Sequence, residues 1–324
     1  MASPIPPTSL RGDGGGGAVP AAPSVTDPAS TPLGIGAAIA AVCVWGAGNT
    51  FIAGVPRTGT AIAFYRLALA SLLYTAILYA RGRRLRRDSF RFGWEGGVAF
   101  GADIVTFFVA IHLTTVANAT TISALQPLVI MGFAAVMFGE RIRPWHLMCA
   151  FLATAGVALV AFGAARSGEG SGLGDFMAVL ALFAWAWYFI ASKKARLHLD
   201  TFEYMTVMNV VAFAFVTPIA LVTGDLFDAG NSLDLRSSLM ILAIVVVPGS
   251  GHILINWAHG HTTLVMTSLI TLAMPVIAAA SAAIFLDQSV SAIQVLGIAL
   301  VLVALAAVII WDARTTAGSN EPLP

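Results

Sequence analysis

The hydrophobic pattern of this chain is written twice, and that repetition limits its fold more than any other feature. Residues 110–162 lie over residues 258–310 without a gap, at a constant offset of 148. In that frame Thr114-Thr115 falls on Thr262-Thr263, Ile122 on Ile270, Pro127 on Pro275, and Ala134-Ala135 on Ala282-Ala283. Only 10 of the 53 aligned positions are identical, so the weight rests on the order of the apolar spans and of the prolines. Upstream, Gly34 and Trp45 fall on Gly174 and Trp185 at an offset of 140. Each copy holds five apolar runs. Five is odd, so two copies in one membrane must lie in opposite orientation.

The runs are about 20 residues long, enough to cross a bilayer as helices. Of 324 residues, 58% are hydrophobic and 10% charged, against about 25% charged in a soluble domain. The expectation is an all-α membrane protein: ten transmembrane helices, as two inverted five-helix repeats. The spans are expected at about 33–54, 58–80, 92–114, 117–138, 144–164, 172–194, 201–223, 237–259, 263–286 and 291–313. Residues 1–32 read as a disordered N-terminal tail, 33–165 as the first repeat, 166–313 as the second and 314–324 as a C-terminal tail. The tail at 1–32 lacks the basic start and apolar centre of a signal peptide. Its Gly14 to Gly17 run has no preceding strand and no following Gly-Lys-Ser/Thr, so it is not a phosphate loop. The net charge of +1 argues against a nucleic-acid partner. Cys43 and Cys149 each sit inside an apolar span and read as small core residues.

Basic residues set the orientation. With the N-terminus inside, thirteen of the 17 basic residues fall on the cytoplasmic side, six of them between Arg81 and Arg91. Arg57, Arg166 and Arg236 fall outside, and Arg66 lies within a span. Both termini are therefore expected in the cytoplasm. Small-residue patterns at Gly97 with Gly101, Gly132 with Ala135, and Ala304 with Ala307 permit close helix contact.

Polar groups deep in a bilayer are costly and mark candidate sites. Asp103 is the only carboxylate near the middle of a span. It reads either as a proton-coupling site or ammonium partner, or as the ion-pair partner of Arg66. Trp45 and Asn49 share one face of the first span, and Trp185, Tyr188 and Ser192 share one face of the sixth. They suit an aromatic wall for an apolar or cationic substrate, or plain aromatic packing. Trp94, Trp145 and Trp311 lie at span ends, as an interfacial belt does. Trp187 points away from Trp185 and is expected to pack on a neighbour. His252, Asn256 and His259 form a stripe on the eighth span, either lining a path or bonding between helices. Asp103, Phe107 and Thr114 share a stripe of the third span, with His112 near its outer end. Asn118, Thr121 and Gln126 on the fourth span and Thr267 and Thr271 on the ninth add neutral donors and acceptors. Pro127 and Pro275 are expected to kink their helices and free backbone carbonyls. Lys193 and Lys194 close the sixth span, explained by snorkelling or by a gate for a carboxylate. His259 and His261 do not converge on one helix face, so neither metal nor cofactor is expected.

These motifs together resemble the drug/metabolite transporter superfamily in its ten-helix EamA-type branch. The residues that carry the likeness are Trp45-Gly46 with Asn49, Phe64-Tyr65-Arg66, Gln126-Pro127 and Phe138-Gly139-Glu140-Arg141. In the second half they are Met274-Pro275 and Leu286-Asp287-Gln288. The second copy departs from the pattern, with Gln288 where Glu is common and Ala184-Trp185-Ala186 where Trp-Gly is common. The resemblance implies a central cavity lined by helices 1, 3, 4, 6, 8 and 9, and alternating access by rocking of the halves.

The expected function is a secondary active or facilitative transporter that exports amino acids, aromatic and other neutral ones, across the bacterial inner membrane. A multidrug exporter of organic cations is the alternative. Substrate contacts are expected at Trp45, Asn49, Asp103, Phe107, Asn118, Thr121, Trp185, Tyr188, His252, Asn256 and Thr267. Asp103 and Arg66 are expected as coupling groups or an ion pair. No His-Glu-x-x-His spacing or matched nucleophile points to an enzyme. The partners are a small-molecule substrate and the lipid bilayer, with the chain acting as a monomer.

Overall fold

A computed structural model describes residues 30–53, 55–114, 116–164, 171–228, 230, 232–285 and 290–318. Those residues form helices and connecting turns: α1 (Pro32–Ala53), α2 (Gly59–Ala80), α3 (Arg87–Leu113), α4 (Val116–Ser123), α5 (Gln126–Phe138), α6 (Pro144–Ala164), α7 (Gly172–Arg196), α8 (Thr201–Val222), α9 (Leu235–Ala258), α10 (Leu264–Thr271), α11 (Met274–Phe285) and α12 (Ala292–Gly318). The protein is an all-helical membrane protein built from two inverted five-helix repeats. The fourth and ninth spans are each made of two short helices, α4 with α5 and α10 with α11. Among the described residues, nine spans are long and apolar enough to cross a membrane, and α1 adds a shorter apolar stretch.

The two prolines do more than kink. Each span is cut by a turn, at Ala124-Leu125 in one half and Leu272-Ala273 in the other. The new helix then starts with proline at its second residue, Pro127 or Pro275, where a missing N–H costs nothing. The turns match atom for atom: Leu125 N donates to the Ile122 carbonyl and Ala273 N to the Ile270 carbonyl, at 3.1 and 3.0 Å. The first break also frees the Ala124 carbonyl, which accepts from Thr154 Oγ1 on α6 at 3.0 Å. Exposed carbonyls inside a bilayer need such a partner.

Inversion is visible in the packing. α3 packs along α7 and α8, α1 along α9, α6 along α12 and α2 along α8. Gly34 lies so close to the His261 carbonyl that a Cβ would sit 2.6 Å from its oxygen, and a Cβ on Gly174 would sit 2.6 Å from Thr114 N and 2.7 Å from the Leu113 carbonyl carbon. His261 and Leu113 are related by the same offset of 148 that relates the repeats, so the α1–α9 and α7–α3 contacts are one contact made twice.

Other expectations shift. Gly97 and Gly101 do pack tightly, on Met208, Val211 and Ala212 of α8, but nothing lies within 4 Å of a Cβ placed on Gly132. Cys149 is buried as expected, whereas Cys43 is exposed on the outside of the bundle. Trp187 is also on that outer surface, 40% exposed. α3 begins five residues earlier than expected, at Arg87. There Arg86 N donates to Ser89 Oγ, and Ser89 in turn bonds Glu203 of α8. α12 runs past residue 313 to Gly318.

Candidate functional site

The polar side chains of α2, α7 and α9 meet inside an aromatic shell. His252 is at its centre, 6% exposed. Its ring lies 4.9 Å from that of Trp45, 4.7 Å from Phe100, 5.9 Å from Tyr188 and 6.2 Å from Trp185. The two repeat-related tryptophans touch each other edge to face, with ring centres 5.4 Å apart. α9 brings His252 here because Gly251 leaves room on its face for Trp45, while the Pro248 ring seats against Gly48 of α1. A Cβ on Gly251 would sit 2.6 Å from Trp45 Nε1, and that N–H donates to the Pro248 carbonyl at 3.0 Å.

Hydrogen bonding fixes the imidazole tautomers. Arg66 Nη2 lies 3.2 Å from His252 Nε2, and a guanidinium can only donate. Nε2 is therefore an acceptor, His252 is neutral, and its proton sits on Nδ1, 3.3 Å from Tyr188 Oη. Tyr188 Oη also accepts from Asn256 Nδ2 at 2.8 Å. Asn256 Nδ2 donates a second time to the His252 carbonyl at 2.7 Å. Ser192 Oγ donates to Asn256 Oδ1 and must then accept from His259 Nδ1, 2.9 Å away. A hydrogen-bonded chain thus links Arg66, His252, Tyr188, Asn256, Ser192 and His259 across α2, α7 and α9, its donors converging on Tyr188 Oη from both ends. Three buried atoms close to it have no hydrogen-bond partner among the described residues, Trp185 Nε1, Tyr204 Oη and His259 Nε2. Unpaired groups of this kind are costly unless something else meets them.

Asp103 is 8% exposed on α3. Arg66 and Asp103 interact electrostatically, yet among the described residues the direct hydrogen bond of Arg66 is to His252, and its guanidinium also lies 5.6 Å from the Phe100 ring centre. Phe107 is half-buried and packs against the main core. Thr121 is on α4, and its Oγ1 is buried with no partner among the described residues. Thr267 is fully buried, and its hydroxyl lies 3.2 and 3.1 Å from the Thr263 and Leu264 carbonyls. Asn49 and Asn118 are helical, but their side chains lie outside the described residues, as does that of His112. Asp287 and Gln288 lie outside them altogether. Trp45, Trp185, Tyr188, His252 and Asn256 are brought together; Thr121 and Thr267 lie on the broken spans. Among the described residues, no cluster of His, Cys, Asp and Glu could hold a metal ion.

Sequence reasoning passed over one site. Glu140 follows Gly139, whose φ of +66° ends α5 in a left-handed turn. Its carboxylate accepts from Lys193 Nζ of α7 at 2.8 Å and from the first two amides of α10, Leu264 N at 2.8 Å and Val265 N at 2.9 Å. Both charged side chains are almost wholly buried. The signal was present in the Phe138-Gly139-Glu140-Arg141 motif, but its partners are 53 and 124 residues away.

An inverted helix bundle with paired broken spans and a polar nest at its centre defines a transporter of small molecules. The chain matches the EamA-like transporter family over residues 32–162 and 172–310. It belongs to that family, whose members are membrane transporters and not enzymes. No curated protein matches it. A solved structure described only as "Crystal structure of protein" superposes with a TM-score of 0.70 over 87% of this chain and 98% of its own, at 20% identity. That likeness shows a shared fold.

Proposed function

We propose that this protein exports neutral amino acids, aromatic ones included, across the bacterial inner membrane, by alternating access through a central path. Both termini face the cytoplasm in this reading, because the end that carries Arg81 to Arg91 also carries Lys193, Lys194 and Arg314. We also read the motifs that carry the family likeness as resembling the bacterial aromatic amino acid exporter YddG, and that finer likeness is part of this proposal. The observation that carries the reading is the composition of the nest. One guanidinium (Arg66) and one carboxylate (Asp103) stand beside an aromatic shell of Trp45, Phe100, Trp185 and Tyr188, with neutral His252 and Asn256 between.

That set suits a zwitterion with an apolar side chain. The substrate carboxylate would draw on further N–H groups of Arg66, its ammonium would approach Asp103, and Trp185 Nε1 would find an acceptor. A phosphorylated or nucleotide-linked substrate would want several intramembrane cations, and Arg66 is the one cation in the middle of a span. The organic-cation reading is favoured by Asp103 beside tryptophans, but Arg66 offsets that charge. The site would be completed by Asn49, Phe107, Asn118, Thr121 and Thr267, and a single chain holds both repeats, so it acts as a monomer. Transport is secondary active or facilitative, with Asp103 as the coupling candidate.

Counterflow in proteoliposomes tests this. Phenylalanine, leucine and other neutral amino acids should exchange, and a flat organic cation should inhibit only weakly. If no amino acid moves, the reading is wrong; if only the cation moves, the protein is a cation exporter. Asp103→Asn should abolish any pH dependence of the flux.

A further inference from the structure

One carboxylate bridges the seam where α5 packs on α10. Glu140 sits at the end of α5, and its carboxylate takes donors from α7 and from α10. Lys193 also lies 3.4 Å from the Thr262 carbonyl, just before α10. Thr263 accepts from Met266 N at 3.1 Å. The first three amides of α10, which have no partner within their own helix, are thereby all satisfied, two by Glu140 and one by Thr263. A carboxylate at a helix N-terminus is favourable, and a buried one paired with an ammonium loses its compensation if the elements part.

The inverted repeat puts the corresponding seam at the opposite end of the bundle, α4 against α11. It is not among the packed helix pairs of the described residues, where α4 packs on α6 and α7 and α11 on α1 and α6. The residue that corresponds to Glu140 at the offset of 148 is Gln288. An amide brings no charge to a helix N-terminus or to a lysine. At the position of Glu140 the chain therefore carries a charge in one copy only.

We infer that Glu140 and Lys193 form a one-sided latch that closes the cytoplasmic end of the path, so that the resting transporter is closed inside. Glu140 acts as a positioning residue: it touches no substrate and sets how readily α10 separates from α5 and α7. The inference rests on the transport reading and its orientation, but its test needs neither substrate nor flux.

The test is a distance measurement between spin labels on the full chain in liposomes. Arg141→Cys and Gly260→Cys place labels on exposed positions flanking the seam, in a background with Cys43→Ala and Cys149→Ala. The unmodified latch should give one short distance. Glu140→Gln should add a longer one and raise the open-to-closed ratio about tenfold or more, as loss of charge-assisted hydrogen bonds implies. Glu140→Asp, which keeps the charge but shortens the reach, should shift the ratio the same way by less, and it serves if the glutamine variant does not fold. Distributions that superimpose on the unmodified one overturn the latch. Absence of amino-acid flux with shifted distances would instead sink the proposed substrate and leave the latch standing.

Discussion

The first repeat carries Asp103 and Glu140 where the second carries Gly251 and Gln288, while Gly34 and Gly174 occupy matching places and make matching contacts. Gly251 is a glycine because Trp45 lies on it, whereas Asp103 leaves no like role for Trp185. The glycine contacts at Gly34 and Gly174 are thus duplicated, and these two carboxylates are not. Duplicated packing gives two related arrangements of similar energy, which alternating access needs. In the proposed transport cycle, unduplicated charge is what makes one end, and one face of the path, different from the other.

The largest test of that comparison removes a charge from one copy and its counterpart from the other. Glu140→Ala leaves the Lys193 ammonium buried without its carboxylate and should cost about 3–5 kcal/mol. Gln288→Ala removes no charge and should cost clearly less. Chemical unfolding of the two purified variants in detergent reads the difference. Equal losses would mean that both ends are locked alike.

The glycines test the opposite side. Gly34→Ala and Gly174→Ala each drive a Cβ to within 2.6 Å of backbone, and each should lose about 1–3 kcal/mol to overpacking. The prediction is that the two losses agree. A loss at one glycine alone would show that the α1–α9 and α7–α3 contacts are equivalent in place but not in energy.

The tryptophans come next. Trp45→Phe gives up a buried N–H bond to the Pro248 carbonyl and should cost about 1 kcal/mol beyond the change in ring size. Trp185→Phe gives up an N–H that has no partner among the described residues, so stability should change less. If Trp185 meets the substrate, its replacement should raise KM in counterflow more than the Trp45 replacement does. The reverse order would place the substrate against Trp45.

How much of this was legible depended on sequence distance. The broken spans follow from proline chemistry, and Pro127 and Pro275 announce them locally, although the sequence suggested kinks where whole turns intervene. The stripe of His252, Asn256 and His259 was visible because i, i+4, i+7 needs only one helix. Its bonds to Ser192 and Arg66 were not, since they span 64 and 186 residues and depend on which face of α7 or α2 arrives. Glu140 and Lys193 sit at span ends, where interfacial anchoring already explains a charge, so nothing in their spacing demanded a burial. Gly132 shows the converse: a small-residue pattern says where a neighbour can approach, not that one does.

The smallest predicted effect lies in the caps of α3 and α9. Arg86 and Ser89 begin α3, and Asp234 and Ser237 occupy the same positions, 148 residues on, at the start of α9. Asp234 Oδ1 accepts from Ser237 N at 2.7 Å, and Arg57 lies 3.7 Å away. Hydrogen bonding from Ser237, helped by Arg57, holds the Asp234 carboxyl below its ordinary range. A group whose folded pKa is depressed stabilises the fold above its unfolded value, about 3.9, and loses that contribution as pH falls through the folded value. Asn is also a good N-cap, so Asp234→Asn removes the charge while keeping the cap. The variant should be slightly less stable than the parent at pH 7 and converge with it as the pH drops below about 4. Arg86→Gln, in the copy without an acidic cap residue, should run parallel to the parent over the same range. Thermal unfolding followed from pH 7 to pH 3 decides it. Parallel curves for Asp234→Asn would show that this cap works through its hydrogen bonds alone.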